Sequence, residues 1–161
     1  CYLAELAGAA AEEDAISTEL LPMFLRALYA LEKQNRPVQI VKPAFELRLA
    51  CMMGFTPDLL QCGACGTTEF PEGASFLIEE GRLICADCRK RIGGTYVTLT
   101  GGVLAAMRHI LFCDGKKLYA FQLNQETAAA LGKLCEQYVI YHLDVRCSTL
   151  DFYHSLFPEE S

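Results

Sequence analysis

The sequence predicts a mainly α protein: a helical bundle-like domain with a small β-hairpin module inserted into it. Three observations carry this. Apolar residues recur at a spacing near 3.6 on both sides of the middle of the chain, the period of one helix face. Between those segments, residues 61–98 lose that period and gain Gly, Pro and two short strand-like runs. Two C-x-x-C pairs, Cys62 with Cys65 and Cys85 with Cys88, bracket the runs. A chain of 161 residues suits one compact domain with a small insertion and can bury a core without disulfides. The expected division is 1–60 and 99–161 as the helical domain, with 61–98 as the insertion.

Residues 2–12, rich in Ala and Leu, are expected to form a short helix. Ser17 or Thr18 is expected to cap a second, with Glu19 in its first turn, Pro22 near its start, and Leu20, Leu21, Phe24, Leu25, Leu28 and Leu31 on one face. Asn35-Arg36-Pro37 ends it. A third helix is expected over 38–53, capped by Gly54. Proline has no N–H to give a helix interior, so Pro43 moves the expected start towards Ile40. After the insertion, Thr100 caps a helix through Cys113, which Asp114-Gly115 ends; residues 118–123 are extended or irregular. Asn124 opens the longest helix, to about Asp144, and Ser148 caps a last one to Leu156.

Inside the insertion, 75–78 and 82–84 read as strands joined at Glu79-Glu80-Gly81. Zinc takes four ligands at tetrahedral corners. Two residues between cysteines let one tight turn aim both sulfurs at one ion, and Gly63 and Gly66 permit such a turn. The 19 residues between Cys65 and Cys85 suffice for a hairpin that brings two such turns together. This is zinc-site spacing, so Cys62, Cys65, Cys85 and Cys88 are expected to hold one structural Zn2+. Iron bound by four thiolates is the alternative of like geometry. A thioredoxin-like site needs one pair at a strand–helix junction rather than two around a hairpin. Four thiolates leave no open position for water, so the ion is expected to fold residues 61–98 rather than to catalyse.

Acidic residues outnumber basic ones by 20 to 14, which argues against a strong non-specific nucleic-acid grip built on overall charge. A local basic shoulder remains, Arg82 with Arg89-Lys90-Arg91, as the candidate DNA contact; its plainer reading is a solvated end of the module. No apolar stretch approaches the roughly 20 residues of a membrane helix. A chain that begins at Cys1 rather than Met is expected to be a processed or truncated piece. Cys51, Cys113 and Cys135 lie in apolar helical patterns and read as reduced core residues in a reducing cytoplasm. His109, His142 and His154 stand on separate helices and read as structural or surface residues rather than ligands. With no nucleophile–base pair, phosphate loop or paired-carboxylate motif, no catalytic residue is named and a non-enzymatic binding role is expected. Glu46 and Arg48 do not share a helical face, so Arg48 is expected either to meet a partner's carboxylate or to reach solvent.

Phe45-Glu46-Leu47-Arg48-Leu49, then Gly54, Pro57 and Leu59, then Cys62-Gly63-Ala64-Cys65-Gly66, resembles the central signature of the bacterial DNA repair family RecO. Phe76, Gly81, Cys85 and Cys88 continue the resemblance, as do Tyr2-Leu3-Ala4-Glu5-Leu6 and, near the end, Leu143, Arg146 and Ser148. RecO proteins begin with an OB-fold barrel, which has no counterpart here, so the resemblance is to the C-terminal part. It implies a cytoplasmic, nucleoid-associated mediator of recombination and repair. Such a protein binds single- and double-stranded DNA, mainly through the barrel, anneals strands, works with RecR, and helps RecA load onto DNA coated by single-stranded-DNA-binding protein (SSB). Some relatives also bind the acidic, Phe-ended tail of SSB, which needs an apolar site beside a cation. Lys42 and Arg48 are the basic residues nearest the central helix and the candidates for that role; Ala44 stands where some relatives have a basic residue. The competing expectation is a zinc-ribbon protein-interaction or transcription-associated module unrelated to repair.

Overall fold

In chain order the elements are α1 (Tyr2–Glu12), α2 (Leu20–Glu32), α3 (Val38–Met52), β1 (Asp58–Cys62), β2 (Ala74–Leu77), β3 (Arg82–Cys85), α4 (Ala86–Arg89), β4 (Val97–Leu99), α5 (Gly101–Phe112), α6 (Gln125–Leu143) and α7 (Ser148–Leu156). The computed structural model of the chain describes residues 2–12, 18–145 and 147–156. Cys1, Ser17 and Arg146, singled out above, lie outside the described residues.

α3 is the axis of the molecule. From Ile40 to Leu47 every residue is buried, and a helix covered on all sides must sit between other elements. It packs on α1, α2, α5 and α6, with α6 its main neighbour. Pro43 stands inside α3 rather than in its first turn, and the helix starts at Val38. Tertiary burial thus outweighs the lost N–H at Pro43. The C-terminus ends as expected at Gly54, whose φ is 95°. Gly54 N–H donates to Cys51 O at 3.1 Å and Phe55 N–H to Ala50 O at 2.9 Å, the paired bonds of a Schellman cap. α2 takes Glu19 at its N-cap with no side-chain cap. Thr100 and Asn124 cap α5 and α6 through Val103 N–H and Thr127 N–H. Residues 118–123 are irregular.

The sheet is larger than the two expected strands. Its order is β1-β3-β2-β4, with β1 parallel to β3 and the other pairs antiparallel. The two outer strands escaped notice because β1 shows no regular alternation of burial and β4 has only three residues. Successive residues on a strand face opposite sides. Leu59, Phe76, Leu83 and Leu99 therefore join the main core with Phe45, Met107 and Tyr138. On the other side Leu77 and Ile84 join Cys62 and Cys88 in a small separate cluster. Polar bonds fasten the α3–β1 loop and the sheet to the helices: Tyr138 Oη donates to Phe55 O at 3.1 Å, and Arg108 Nε to Leu59 O at 2.9 Å.

α7 is held by a carboxylate from the other end of the chain rather than by its own Ser148. Glu5 accepts bonds from the backbone N–H groups of Ser148 and Thr149, each at 2.9 Å, and from both hydroxyls. It thereby satisfies N–H groups that an α-helix leaves unpaired, from a distance no local sequence rule spans. The Thr149 hydroxyl first, then the N–H groups of Thr149 and Ser148, bring the Glu5 carboxyl down to about 2. A depressed carboxyl stabilises the fold above its unfolded value near 4.5, and that contribution is lost as pH falls towards 2. Glu5→Ala is expected to undock α7 while the core stays folded. Hydrogen exchange should then accelerate over 148–156 but not over α3, and unchanged protection of 148–156 would refute the latch.

Candidate metal centre

Two turns carry the four cysteines. The first is closed by Gly66 N–H to Cys62 O and Cys62 N–H to Thr67 O, both 2.8 Å, with Gly66 at φ 75°. At Gly63 a Cβ would stand 2.5 Å from Arg82 Cδ, so the missing side chain leaves room for Arg82 to lie across the turn. The second turn is the end of β3 running into α4, which presents Cys85 and then Cys88. The parallel pairing of β1 with β3 sets the turns face to face, and Gly63 N–H donates to Leu83 O at 2.8 Å.

All four sulfurs lie within 4.8 Å of one another. Thiolates about 2.3 Å from one tetrahedral ion stand about 3.8 Å apart. Cys65 Sγ and Cys85 Sγ are separated by 3.8 Å. The donor set and spacing thus fit a four-thiolate ion, and these residues could hold one. Burial pushes the Cys62 thiol up, but N–H groups of Cys85, Ala64 and Cys65 outweigh it and bring it down to about 6. The direct bond from Cys85 N–H to Cys62 Sγ is 3.3 Å. Burial and then hydrogen bonding with Cys65, Cys85 and Cys62 push Cys88 up to about 12. Four crowded thiols cannot all ionise unaided, whereas a bound divalent cation deprotonates coordinating thiols.

The structure gathers the basic shoulder around this cluster. Arg82 donates to Gly63 O at 3.3 Å and pairs with Glu80 at 2.5 Å. Arg89 reaches Ser75 Oγ and Thr98 Oγ1, at 3.2 and 3.3 Å. Lys90 pairs with Asp87 at 3.4 Å, and Arg91 donates to Cys88 Sγ at 3.6 Å. Arg89, Lys90 and Arg91 are exposed.

Lys42 and Arg48 lie on α3, apart from the cysteine cluster. Lys42 is 3% exposed, with Nζ 2.8 Å from Glu46 and 2.6 Å from Glu136. The ammonium also sits over the rings of Tyr2 and Tyr153, at 5.2 and 5.1 Å. Arg48 turns to the C-terminus of α5, donating to Leu111 O at 3.1 Å and Cys113 O at 2.6 Å, carbonyls that a helix end leaves unpaired. Tyr2 Oη donates to Glu46 at 2.7 Å, completing a buried polar network that the sequence reasoning missed. The available signal was Lys42 and Glu46 four apart on one helix face. His142 and His109 donate from Nε2 to backbone carbonyls, Ile78 O and Lys117 O, and His154 meets Glu136 at 3.0 Å.

A family model described as recombination protein O C terminal matches residues 1–150. The chain belongs to the RecO C-terminal family. Among its relatives, a protein named DNA repair protein RecO from Acetivibrio thermocellus is 30% identical over 145 residues, covering 89% of this chain and 57% of the relative. Namesakes from Symbiobacterium thermophilum and Desulforamulus reducens are 26% and 24% identical, covering 96% and 97% of this chain and 62% and 60% of themselves. The chain thus spans about three-fifths of the length of these relatives. Among its described residues no helix is long and apolar enough to cross a membrane.

Proposed function

We propose that this chain is the C-terminal, protein-docking part of a cytoplasmic, nucleoid-associated mediator of DNA recombination and repair. Membership of the RecO C-terminal family carries the proposal. The work is binding and scaffolding rather than bond-breaking. Zn2+ is the ion proposed for Cys62, Cys65, Cys85 and Cys88, as a clamp that closes the outer end of the sheet; the tetrahedral sulfur spacing supports it. Capture of single- and double-stranded DNA, strand annealing and the loading of RecA are assigned to the longer protein, with RecR as a partner and the OB-fold barrel of RecO proteins as the main DNA-binding element. Arg82, Arg89, Lys90 and Arg91 are proposed as an accessory DNA contact on this chain.

The acidic tail of SSB is proposed to dock beside Lys42, in a surface groove lined by Pro37, Gln39, Ile40, Leu123 and Ala129. Pro37, Ile40, Pro43, Leu123 and Ala129 supply the apolar surface that a Phe-ended peptide requires, and Glu126, Lys133, Glu136 and His154 also line the groove. Arg48 is the second proposed cation, although two helix carbonyls already engage it. Reversing the charge of Lys42 would disturb the buried network, so the test is Ala129→Glu, which adds a carboxylate at an exposed wall. Calorimetric titration with an SSB tail peptide should weaken at least tenfold, about 1.4 kcal/mol, in that variant. No binding to the unaltered chain would remove the docking proposal. The same titration with single-stranded DNA should show far weaker affinity for this chain than for the full-length protein, and equal affinities would sink the division of labour.

A further inference from the structure

The four sulfurs of the cluster are not equivalent. Cys62 and Cys88 are 1% and 3% exposed and belong to the small apolar cluster with Leu77 and Ile84. Cys65 is exposed and Cys85 half-buried. A surface cavity lined by Cys65, Thr67, Phe70, Cys85, Cys88 and Arg91 opens on that side. Cys62 Sγ already accepts the Cys85 N–H, and the Arg91 guanidinium lies against Cys88 Sγ. Cys65 and Cys85 therefore form the reachable pair, with sulfurs 3.8 Å apart.

We propose that Cys65 is an oxidation site for hydrogen peroxide and Cys85 its resolving thiol, so that closing this pair into a disulfide opens the metal centre. This rests on the four cysteines holding the ion proposed above and adds a modification to that site. In the first step the Cys65 thiolate attacks one oxygen of the peroxide; the O–O bond breaks, hydroxide leaves, and the sulfur becomes a sulfenic acid. In the second the Cys85 thiolate attacks that sulfur; the S–O bond breaks, a second hydroxide leaves, and the disulfide forms. Two thiolates and one peroxide give one disulfide and two hydroxides, with two electrons passing from sulfur to oxygen.

The sulfurs must close from 3.8 Å to about 2.05 Å, a side-chain movement at the exposed edge of the cluster. Cys62 and Cys88 then remain as two ligands where a structural site needs four. The other described cysteines compete poorly. Cys135 is fully buried, and burial pushes the thiols of Cys51, Cys113 and Cys147 up, away from the reactive thiolate.

The test treats the metal-loaded chain with one equivalent of hydrogen peroxide. A chromogenic chelator follows the metal, and mass spectrometry maps the bridges. The expected result is release of one ion per chain together with a first bridge between Cys65 and Cys85, reversed by a dithiol and added zinc. Cys65→His keeps a ligand nitrogen but cannot form the bridge, and should release metal at least about tenfold more slowly. A first bridge between Cys62 and Cys88, or equally fast release from Cys65→His, overturns the proposal. If that variant fails to take up metal, the bridge map of the parent chain decides alone. A reduced chain that carries no metal overturns the metal reading and the release step with it; a loaded chain that bridges elsewhere overturns only the roles of Cys65 and Cys85.

Discussion

Cys85→Ser is expected to reduce bound metal from one ion per chain to almost none and to unfold the outer end of the sheet. Serine leaves three thiolates, and the second turn loses its tie to the first. Binding energy of a structural zinc is folding energy, about 10–16 kcal/mol apparent in isolated zinc-finger peptides at neutral pH. The effect here should be smaller and local, because half of the sheet does not depend on the ion. Leu59, Phe76, Leu83 and Leu99 are packed into the helical core. Residues 62–69 and α4 rest mainly on the small cluster of Cys62, Leu77, Ile84 and Cys88, while Phe70 packs against both that cluster and the main core. Metal analysis should therefore show loss of the ion, and hydrogen exchange should show lost protection in 62–70 and 85–92 while α3 and α6 keep theirs. Full metal content with an unchanged melting temperature would refute the site.

Lys42→Met is expected to cost about 3–5 kcal/mol, the usual penalty for removing one partner of a buried ion pair. The ammonium is held between buried Glu46 and half-buried Glu136, so its loss leaves both carboxyl groups without their shared donor. Burial alone lowers the Lys42 pKa, but Glu46 and Glu136 outweigh it and hold it above its usual value. Glu46 behaves differently. Burial first, with Glu136 adding to it, pushes its carboxyl up to about 7 against the pull of Lys42 and the Tyr2 hydroxyl. Its Oε2 has no hydrogen-bond partner among the described residues, which favours a protonated acid.

The sign of the pH dependence follows from that raised value. Between about 4.5 and 7 the folded chain holds a proton that the unfolded chain has released, so this group weakens stability as pH rises across that window. Glu5 acts in the opposite sense, and below about 4.5. Glu46→Gln is expected to remove the loss between pH 4.5 and 7 at little cost near neutrality, whereas Lys42→Met should not. Chemical denaturation at several pH values reads both. If Glu46→Gln were as damaging at pH 7 as Lys42→Met, the protonated-acid account would fail.

The helices and the cysteine cluster were legible because each depends on short-range signals. Thr100, Asn124 and Gly54 mark boundaries through bonds to residues no more than four away, and the two C-x-x-C pairs announce their own turns. What stayed hidden depends on distant partners. Ser148 reads as a cap from its neighbours, yet the carboxylate that caps α7 is Glu5. Pro43 reads as a helix start, yet α3 is so enclosed that a missing hydrogen bond is tolerated inside it. Lys42 and Arg48 read as cations offered to a partner, and the fold engages both, one with buried Glu46 and half-buried Glu136 and the other with the end of α5. Local sequence determined the mainly helical class, the caps at Gly54, Thr100 and Asn124, and the two C-x-x-C turns that could hold a metal ion, because spacing along the chain fixes those. Tertiary structure alone decided which strands complete the sheet, which two sulfurs face solvent and where each buried charge finds its counter-ion. Those are distances between segments remote in sequence, set only when the apolar surfaces of α3, α6 and the sheet are removed from water together.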